Sequence, residues 1–300
     1  MKNNYFNPEH ISNLIVEDSV VLHLTGYTHS GEWRTITPTI NSNVKNGIID
    51  IICNQLNWCD GLEEKSYNII GAEDDIVEVT NVADFNESWD KIKQSFAQPT
   101  ISSRVTVNHY DFFTYELDTS NNKKMYVLRR INKVKAIKSG ILGKLFDGEF
   151  SKIETSNLLG IDNAIDLLIY EDKIWVFKHI ALERIFKLKD EFKEKAKEVL
   201  ENKIFTDKIK NFDNLKERAL KNGNYVKRLA KLHDSSQVTL FLDKIDKTEI
   251  VIEKFALDIE VENGVLIYRD ETQVGNFINL MQDSYYQTLI GEENGIDENR

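Results

Sequence analysis

Between Asn163 and Phe205 two short apolar runs are followed directly by the longest helical pattern of the chain. Leu167, Leu168, Ile169 and Tyr170 make the first run; Ile174, Trp175, Val176 and Phe177 make the second. Aliphatic and aromatic runs of this length, bounded by polar residues, predict strands, with Glu171-Asp172-Lys173 as the tight turn between them. A strand that is apolar at nearly every position needs cover on both faces, because a solvated face would show alternating polar residues. After His179 the spacing changes to three and four, through Leu182, Ile185, Leu188, Phe192, Ala196, Val199 and Leu200, which predicts amphipathic helix with one face on the hairpin. A break is expected near Lys189, with Asp190 as N-cap, Glu191 in the first turn and a Glu191 to Lys195 pair four residues apart. A covered hairpin joined to such helices puts the chain in the α+β class.

The rest of the chain supports the same class. Val20 to Leu24 and Trp33 to Thr37 predict two strands, with Gly26 and Gly31 in or beside the loop between them. Val44 to Leu56 has helical spacing, with Ser42 or Asn43 as cap. Asp75 to Thr80 predicts a strand and Phe85 to Phe96 a helix closed by Pro99. Asp118-Thr119-Ser120-Asn121-Asn122 is the strongest boundary signal. Met125 to Ile131 then reads as a strand. Phe212 to Leu220 and Tyr225 to His233 read as short helices joined at Gly223, and Gln273 to Gln282 as the last helix. Thr239 to Leu242, Ile250 to Ile252 and Val265 to Tyr268 read as strands, with Asn263-Gly264 as a hairpin turn.

Charge is distributed very unevenly. The net charge is -11, which favours solubility and, taken alone, argues against a nucleic-acid partner. From Lys123 to Lys152, however, nine Lys and Arg stand against Asp147 and Glu149, and from Lys203 to Lys231 nine stand against Asp207, Asp213 and Glu217. The balance of the chain is therefore strongly anionic, and its faces should be polarised. Cys53 and Cys59 have no second pair, so neither a zinc site nor a disulfide framework is expected, and a reduced compartment is. No signal-peptide core precedes Ile15, and no apolar run has membrane-spanning length, so a cytoplasmic location is expected, with membrane contact only through another chain.

Lys and Arg on a strand and a Gly-containing loop suit phosphate oxygens, giving sequence-independent and salt-sensitive affinity. On this reading Lys123, Lys124, Arg129, Arg130, Lys133, Lys135, Lys138 and Lys144 contact nucleic-acid backbone, with Lys227, Arg228 and Lys231 as a second patch. The plainer reading is that these cations face the chain's own carboxylates. Glu171-Asp172-Lys173 after an apolar strand is also the pattern with which metal-dependent nucleases hold Mg²⁺ beside an upstream acid, here Asp147, Asp162 or Asp166. Turn chemistry alone explains three polar residues there. The six histidines, His10, His23, His29, His109, His179 and His233, lack the paired helical spacing of zinc hydrolases and read as core or capping residues. Gly143-Lys144 is followed by Leu145, which excludes a Walker-type loop, and no cofactor is expected. Phe186, Phe192 and Phe205 exceed what one small hairpin covers and are compatible with a homo-oligomer.

A family resemblance adds to this reading. The hairpin followed by Phe177-Lys178-His179-Ile180-Ala181-Leu182-Glu183-Arg184-Ile185-Phe186 and Phe192 resembles the KwaB-like family of the Kiwa anti-phage defence system. Arg129-Arg130 and Gly140-Ile141-Leu142-Gly143 stand where that family has a basic strand and loop. Ile278-Asn279-Leu280-Met281-Gln282-Asp283-Ser284-Tyr285-Tyr286 resembles its terminal helix and Asp-x-Tyr signature. The likeness spans roughly Lys123 to Gly291 and departs at the acidic tail from Glu292 to Arg300. With the boundary signal at Asp118 to Asn122, the expected organisation is an acidic mixed N-terminal domain over 1–118, a KwaB-like domain over 119–291 and an acidic tail over 292–300. The resemblance also implies a non-catalytic role in antiviral defence, with phage DNA and a KwaA-like membrane protein as partners.

Overall fold

The computed structural model describes residues 5–98, 109–131, 143–146, 148–152, 160–233, 235 and 237–297. Two compact units divide the chain: residues 1–67 with 72–186, and residues 68–71 with 187–300.

In the first unit a one-turn helix α1 (Pro8–Ser12) precedes β1 (Val21–Tyr27) and β2 (Trp33–Ile36), which pair antiparallel as their alternation predicts. Helix α2 (Ser42–Trp58) is capped by the Asn41 side chain, which accepts from the Val44 N–H, one residue before the expected cap. There follow β3 (Glu63–Ser66), β4 (Ile76–Asn81), α3 (Asn86–Ala97), β5 (Phe112–Asp118) and β6 (Lys124–Arg130). A small separate hairpin, β7 (Gly143–Phe146) with β8 (Glu149–Lys152), precedes β9 (Leu167–Tyr170), β10 (Lys173–Val176) and α4 (His179–Ile185). Eight strands form one sheet in the order β2-β1-β5-β6-β9-β10-β4-β3, antiparallel throughout except for the parallel β3 and β4.

Strand registers fix what each face holds. Leu22, Tyr115, Val127, Leu168, Trp175 and Val79 stand in line across one face, where Ile48, Ile52 and Leu56 of α2 join them in one apolar core. The other face carries His23, Thr114, Leu128, Leu167, Val176 and Glu78 in line. Over it lie α3 and α4: Trp89 meets Tyr126 edge-on at 5.0 Å, and Phe96 stacks on His23 at 4.3 Å. The hairpin of β9 and β10 is thus covered on two faces, as its unbroken apolar runs require, and its turn takes Glu171 through φ +56°.

The expected boundary at 118/119 does not divide this fold. Asp118 to Lys123 is the turn between β5 and β6, which are neighbours in one sheet, and the chain parts after Phe186 instead. The helical stretch after His179 divides there too. Its break lies at Lys187, held at φ +58°, so that α4 packs on β6 and β10 while α5 (Lys189–Leu200) belongs to the second unit. Leu188 rather than Asp190 occupies the N-cap of α5; Asp190 and Glu191 fall in its first turn, and Glu191 pairs with Lys195 at 3.1 Å.

The second unit continues through α6 (Lys203–Lys208), β11 (Ile209–Lys210), α7 (Phe212–Lys221), α8 (Gly223–His233), α9 (Gln237–Asp243), α10 (Thr248–Lys254), β12 (Glu260–Glu262), β13 (Val265–Ile267), α11 (Val274–Met281), β14 (Tyr285–Gln287) and β15 (Asn294–Ile296). Its core gathers Phe205 stacked on Phe212 at 5.3 Å, with Leu229, Leu266 and Phe277 buried. Asn263 and Gly264 both take positive φ, the condition for the tight turn joining β12 to β13. Two expectations fail here. The runs at 239–242 and 250–252 are helices α9 and α10, not strands. Part of the acidic tail forms β15, which pairs with β14.

Candidate functional site

Strand geometry scatters the cations that composition gathers. Lys123 and Lys124 lie at the β5–β6 turn, while Arg129 and Arg130 lie at the far end of β6, about 20 Å away at ~3.3 Å per residue. Neighbouring residues on a strand point to opposite faces, so Arg129 and Arg130 do not share a surface.

At the turn end, Lys123 Nζ donates to Glu171 Oε1 at 2.6 Å, tying the β5–β6 turn to the β9–β10 turn. Lys124 sits across from Asp118 in register and pairs with it at 2.7 Å and with Glu116 at 2.8 Å. Hydrogen bonds to those two carboxylates hold its ammonium well above the usual lysine range. Glu116, with His23 Nε2 3.5 Å away and Lys124 paired to it, is held down to about 2. The lysines remain exposed, and exposed ion pairs are weak.

At the other end, Arg129 is buried. Its guanidinium grips Asp162 with two bonds, Nε to Oδ1 at 2.9 Å and Nη2 to Oδ2 at 2.5 Å, and gives Nη1 to Asp166 Oδ1 at 2.5 Å. Asp166, 1 % exposed, also accepts the Arg130 N–H at 2.8 Å, while its main chain bonds Leu128, Phe177 and Lys178. This carboxylate therefore ties the ends of β6, β9 and β10 together. Phosphate contact by Arg129 is corrected accordingly: the side chain is buried and three of its five N–H donors already meet two internal carboxylates.

Arg130 differs from its neighbour. Its half-buried side chain has no hydrogen bond or ion pair to any side chain among the described residues, nor has exposed Arg184 of α4, which packs against β6. Burial, and then the positive charge of Arg184, push the Arg130 guanidinium below its ordinary range. The fold thus holds two guanidinium groups near one another, with exposed Lys178 just before α4. Like charges so placed are relieved by an oxyanion, which a planar guanidinium binds with two parallel hydrogen bonds. Sequence patterns give a binding role to neither Arg184 nor Lys178, although both lie in the segment that resembles the KwaB-like family, and nothing local relates α4 to Arg130. Lys133, Lys135 and Lys138 lie outside the described residues. Lys144 stands on β7 opposite Ser151 of β8.

The second patch on α8 does not form a strip either. Arg228 is buried, donating Nε to Gln282 Oε1 at 2.7 Å and Nη2 to Asn279 and Gln282 of α11, so its assignment to phosphate is also corrected. Lys231 is half-buried, reaches Asn68 Oδ1 at 3.3 Å, and is pushed down by burial; Lys227 is half-buried. The Asp283-Ser284-Tyr285 signature continues this latch, with Ser284 N–H on Asn279 O at 2.9 Å and Tyr285 Oη on Asn276 Oδ1 at 3.1 Å.

Among the described residues the nuclease arrangement is not assembled. Glu171 and Asp166 flank β9 at opposite ends, about 16 Å apart at ~3.3 Å per residue. Among the described residues no group of three or more His, Cys, Asp or Glu could hold a metal ion. Asp147 lies outside the described residues. His179 is a core histidine, as its sequence position suggested. Its Nδ1 meets Glu78 at 2.8 Å, its Nε2 lies 3.4 Å from Glu183, and its ring stacks on Tyr67 at 4.9 Å. Burial opposes the charge, but the hydrogen bonds and charges of Glu183 and Glu78 outweigh it and raise the group to about 9. The unfolded value is ~6.5, so this pair stabilises the fold fully below about pH 6.5, and the gain is lost as pH rises through 9. Urea midpoints measured from pH 6 to 9.5 should therefore fall more steeply for the natural protein than for His179→Gln; parallel profiles would count against a charged imidazole.

Among the described residues no helix is long and apolar enough to cross a membrane. No curated protein and no solved structure matches the chain. The family described as Kiwa protein KwaB-like matches residues 110–291, from just before β5 to the tip after β14. That span is more than half of the chain and contains β6, the hairpin, α4 with Arg184, and the latch of α8 and α11, so this protein belongs to the Kiwa KwaB-like family.

Proposed function

We propose that this component of Kiwa defence contacts the backbone of phage DNA without cleaving it, together with a KwaA-like membrane protein and further copies of itself. The observation that carries the DNA contact is the Arg130 and Arg184 pair, two guanidinium groups held near one another with no carboxylate bonded to either among the described residues. Arg130 ends β6, and Lys133, Lys135 and Lys138 follow it closely in the sequence. Lys123 and Lys124 are secondary, since a phosphate must displace a carboxylate from each. Nothing in this arrangement reads bases, and sequence-independent affinity with strong salt dependence follows.

Retention of a short duplex measured from about 50 to 200 mM salt tests the reading. Arg130→Ala with Arg184→Ala should weaken retention and reduce the salt slope by about two, given ~0.9 for each phosphate no longer neutralised. Adding Lys133→Ala, Lys135→Ala and Lys138→Ala should reduce it further. Unchanged affinity and slope in the five-fold variant would remove DNA from the proposal, and plasmid cleavage with Mg²⁺ would remove its non-catalytic part.

A further inference from the structure

Three cations come together at one end of the large sheet. Asp166 joins two of them through the main chain: its carboxylate accepts the Arg130 N–H at 2.8 Å, and its carbonyl oxygen accepts the Lys178 N–H at 3.2 Å. Arg130 follows Leu128 by two residues on β6, so it lies on the face of the sheet that Leu128 and Leu167 share. Helix α4 begins directly after Lys178 and packs on β6 over that face. It brings Arg184 close enough for its charge to act on the Arg130 guanidinium. Ile180, 44 % exposed, precedes Arg184 by four residues, so an aliphatic side chain and a cation share one side of α4.

The neighbouring carboxylates are engaged elsewhere. Asp162 and Asp166 both bond Arg129, each with a contact at 2.5 Å. Glu183, beside Arg184 on α4, keeps its side chain 14 % exposed and turns it to His179 Nε2 at 3.4 Å and to the Tyr67 hydroxyl at 3.5 Å. The side chains of Arg130, Lys178 and Arg184 have no hydrogen-bond or ion-pair partner among the described residues. The stretch after β6, residues 132–142, adds Lys133, Lys135 and Lys138 and contains neither Asp nor Glu.

We propose that this site takes the end of a linear duplex: Arg130, Arg184 and Lys178 hold a terminal phosphate monoester, and Ile180 meets the open face of the last base pair. The inference rests on the DNA contact put forward under the proposed function and says which part of a duplex this cluster prefers. A phosphate inside a strand carries a single negative charge, and the bases beside it are stacked on both faces. A terminal monoester carries about −1.5 to −2 at neutral pH, and the last base pair leaves one face to water. Several cations without carboxylates, next to an exposed aliphatic side chain, therefore match an end better than an interior phosphate. Half-buried Arg130 favours the same choice. A phosphate bonded to one sugar projects far enough to reach a recessed guanidinium, whereas a phosphate bonded to two sugars is held in the curve of the strand.

Three duplexes of one sequence and length, retained by the full chain at a single salt concentration, test it. The first is phosphorylated on every strand end, the second has hydroxyl ends, and the third is closed at both ends by hairpin loops. The natural protein should hold the phosphorylated duplex about ten-fold tighter than the hydroxyl-ended one, the worth of one charge-assisted contact, and the closed duplex least. Arg184→Ala with Lys178→Ala, both at exposed positions, should remove the preference for phosphorylated ends. Arg130→Ala should do the same where tryptophan fluorescence shows the first unit folded. Ile180→Ser should narrow the gap between hydroxyl ends and closed ends. Equal retention of all three duplexes by the natural protein overturns this inference and leaves the backbone contact standing; retention of none overturns both. A phosphate preference that survives Arg184→Ala with Lys178→Ala overturns the assignment to these cations. Thymidine 5′-monophosphate that competes at the same concentration as phosphorylated ends overturns the duplex end as the occupant.

Discussion

Asp166→Ala should lower the stability of the first unit by about 3–5 kcal/mol, the usual cost of removing one partner of a buried ion pair. The substitution leaves the Arg129 guanidinium buried with Asp162 alone and strips the acceptor from the Arg130 N–H. It also loosens the junction at which Asp166 joins β6 to β9 and β10. All four tryptophans, Trp33, Trp58, Trp89 and Trp175, lie in this unit, so tryptophan fluorescence against urea reads it selectively. Asp166→Asn, which keeps one acceptor oxygen, should cost less than Asp166→Ala. Adding Arg129→Met to Asp166→Ala should recover part of the loss, since the unpaired charge is removed with its partner. A loss below about 1 kcal/mol in Asp166→Ala would show that the cluster does not hold the strand ends.

Arg228→Ala should destabilise the second unit by about 2–4 kcal/mol, through two losses. Asn279 Oδ1 and Gln282 Oε1, on a buried part of α11, lose their donor, and an unsatisfied buried acceptor costs ~1–3 kcal/mol. The aliphatic stem of Arg228 also leaves a gap between α8 and α11. This unit contains no tryptophan and is mostly helical, so the loss should appear in the far-UV helical signal while the fluorescence transition moves little. If both signals shift together, the two units unfold as one and the latch is not local to the second. Arg228→Ala should also leave duplex retention unchanged at temperatures where the protein stays folded, because a buried guanidinium meets no phosphate.

The two arginines that looked most useful for phosphate, Arg129 and Arg228, thus have structural work, and the cation pair best placed for an oxyanion includes Arg184, which no local pattern marks. The common reason is sequence distance. Arg129 meets carboxylates 33 and 37 residues away, Arg228 meets amides 51 and 54 residues away, and Arg130 meets Arg184 only because α4 folds back over β6. A run of like charge reports composition; strand alternation and partners from elsewhere decide which members face water.

Short aliphatic runs show the same division. Leu167 to Tyr170 and Ile174 to Val176 read correctly as strands because a tight turn joined them and cover existed on both faces. Leu240 to Leu242 and Ile250 to Ile252 have the same β-favouring look and are helical: Phe241 and Ile252 are buried there while Leu240 and Ile250 are exposed. Three residues cannot separate a period of 2 from one of 3.6, so packing arbitrates. Strand β3, Glu-Glu-Lys-Ser, carries no apolar signal and exists because the edge of β4 offers it a ladder.

What the sequence by itself determined is therefore the local and the repetitive: the longer amphipathic helices, the Glu171 and Asn263-Gly264 turns, the α+β class, and membership of the Kiwa KwaB-like family through residues 110–291. Only the tertiary structure decided the division after Phe186, the union of β5 and β6 in one sheet, and which cations the chain's own carboxylates and amides engage. Periodicity and turn chemistry act within a few residues and are written in their order. Burial and charge pairing depend on which distant segments arrive at the same place, and that is settled by the packing of the two faces of the sheet.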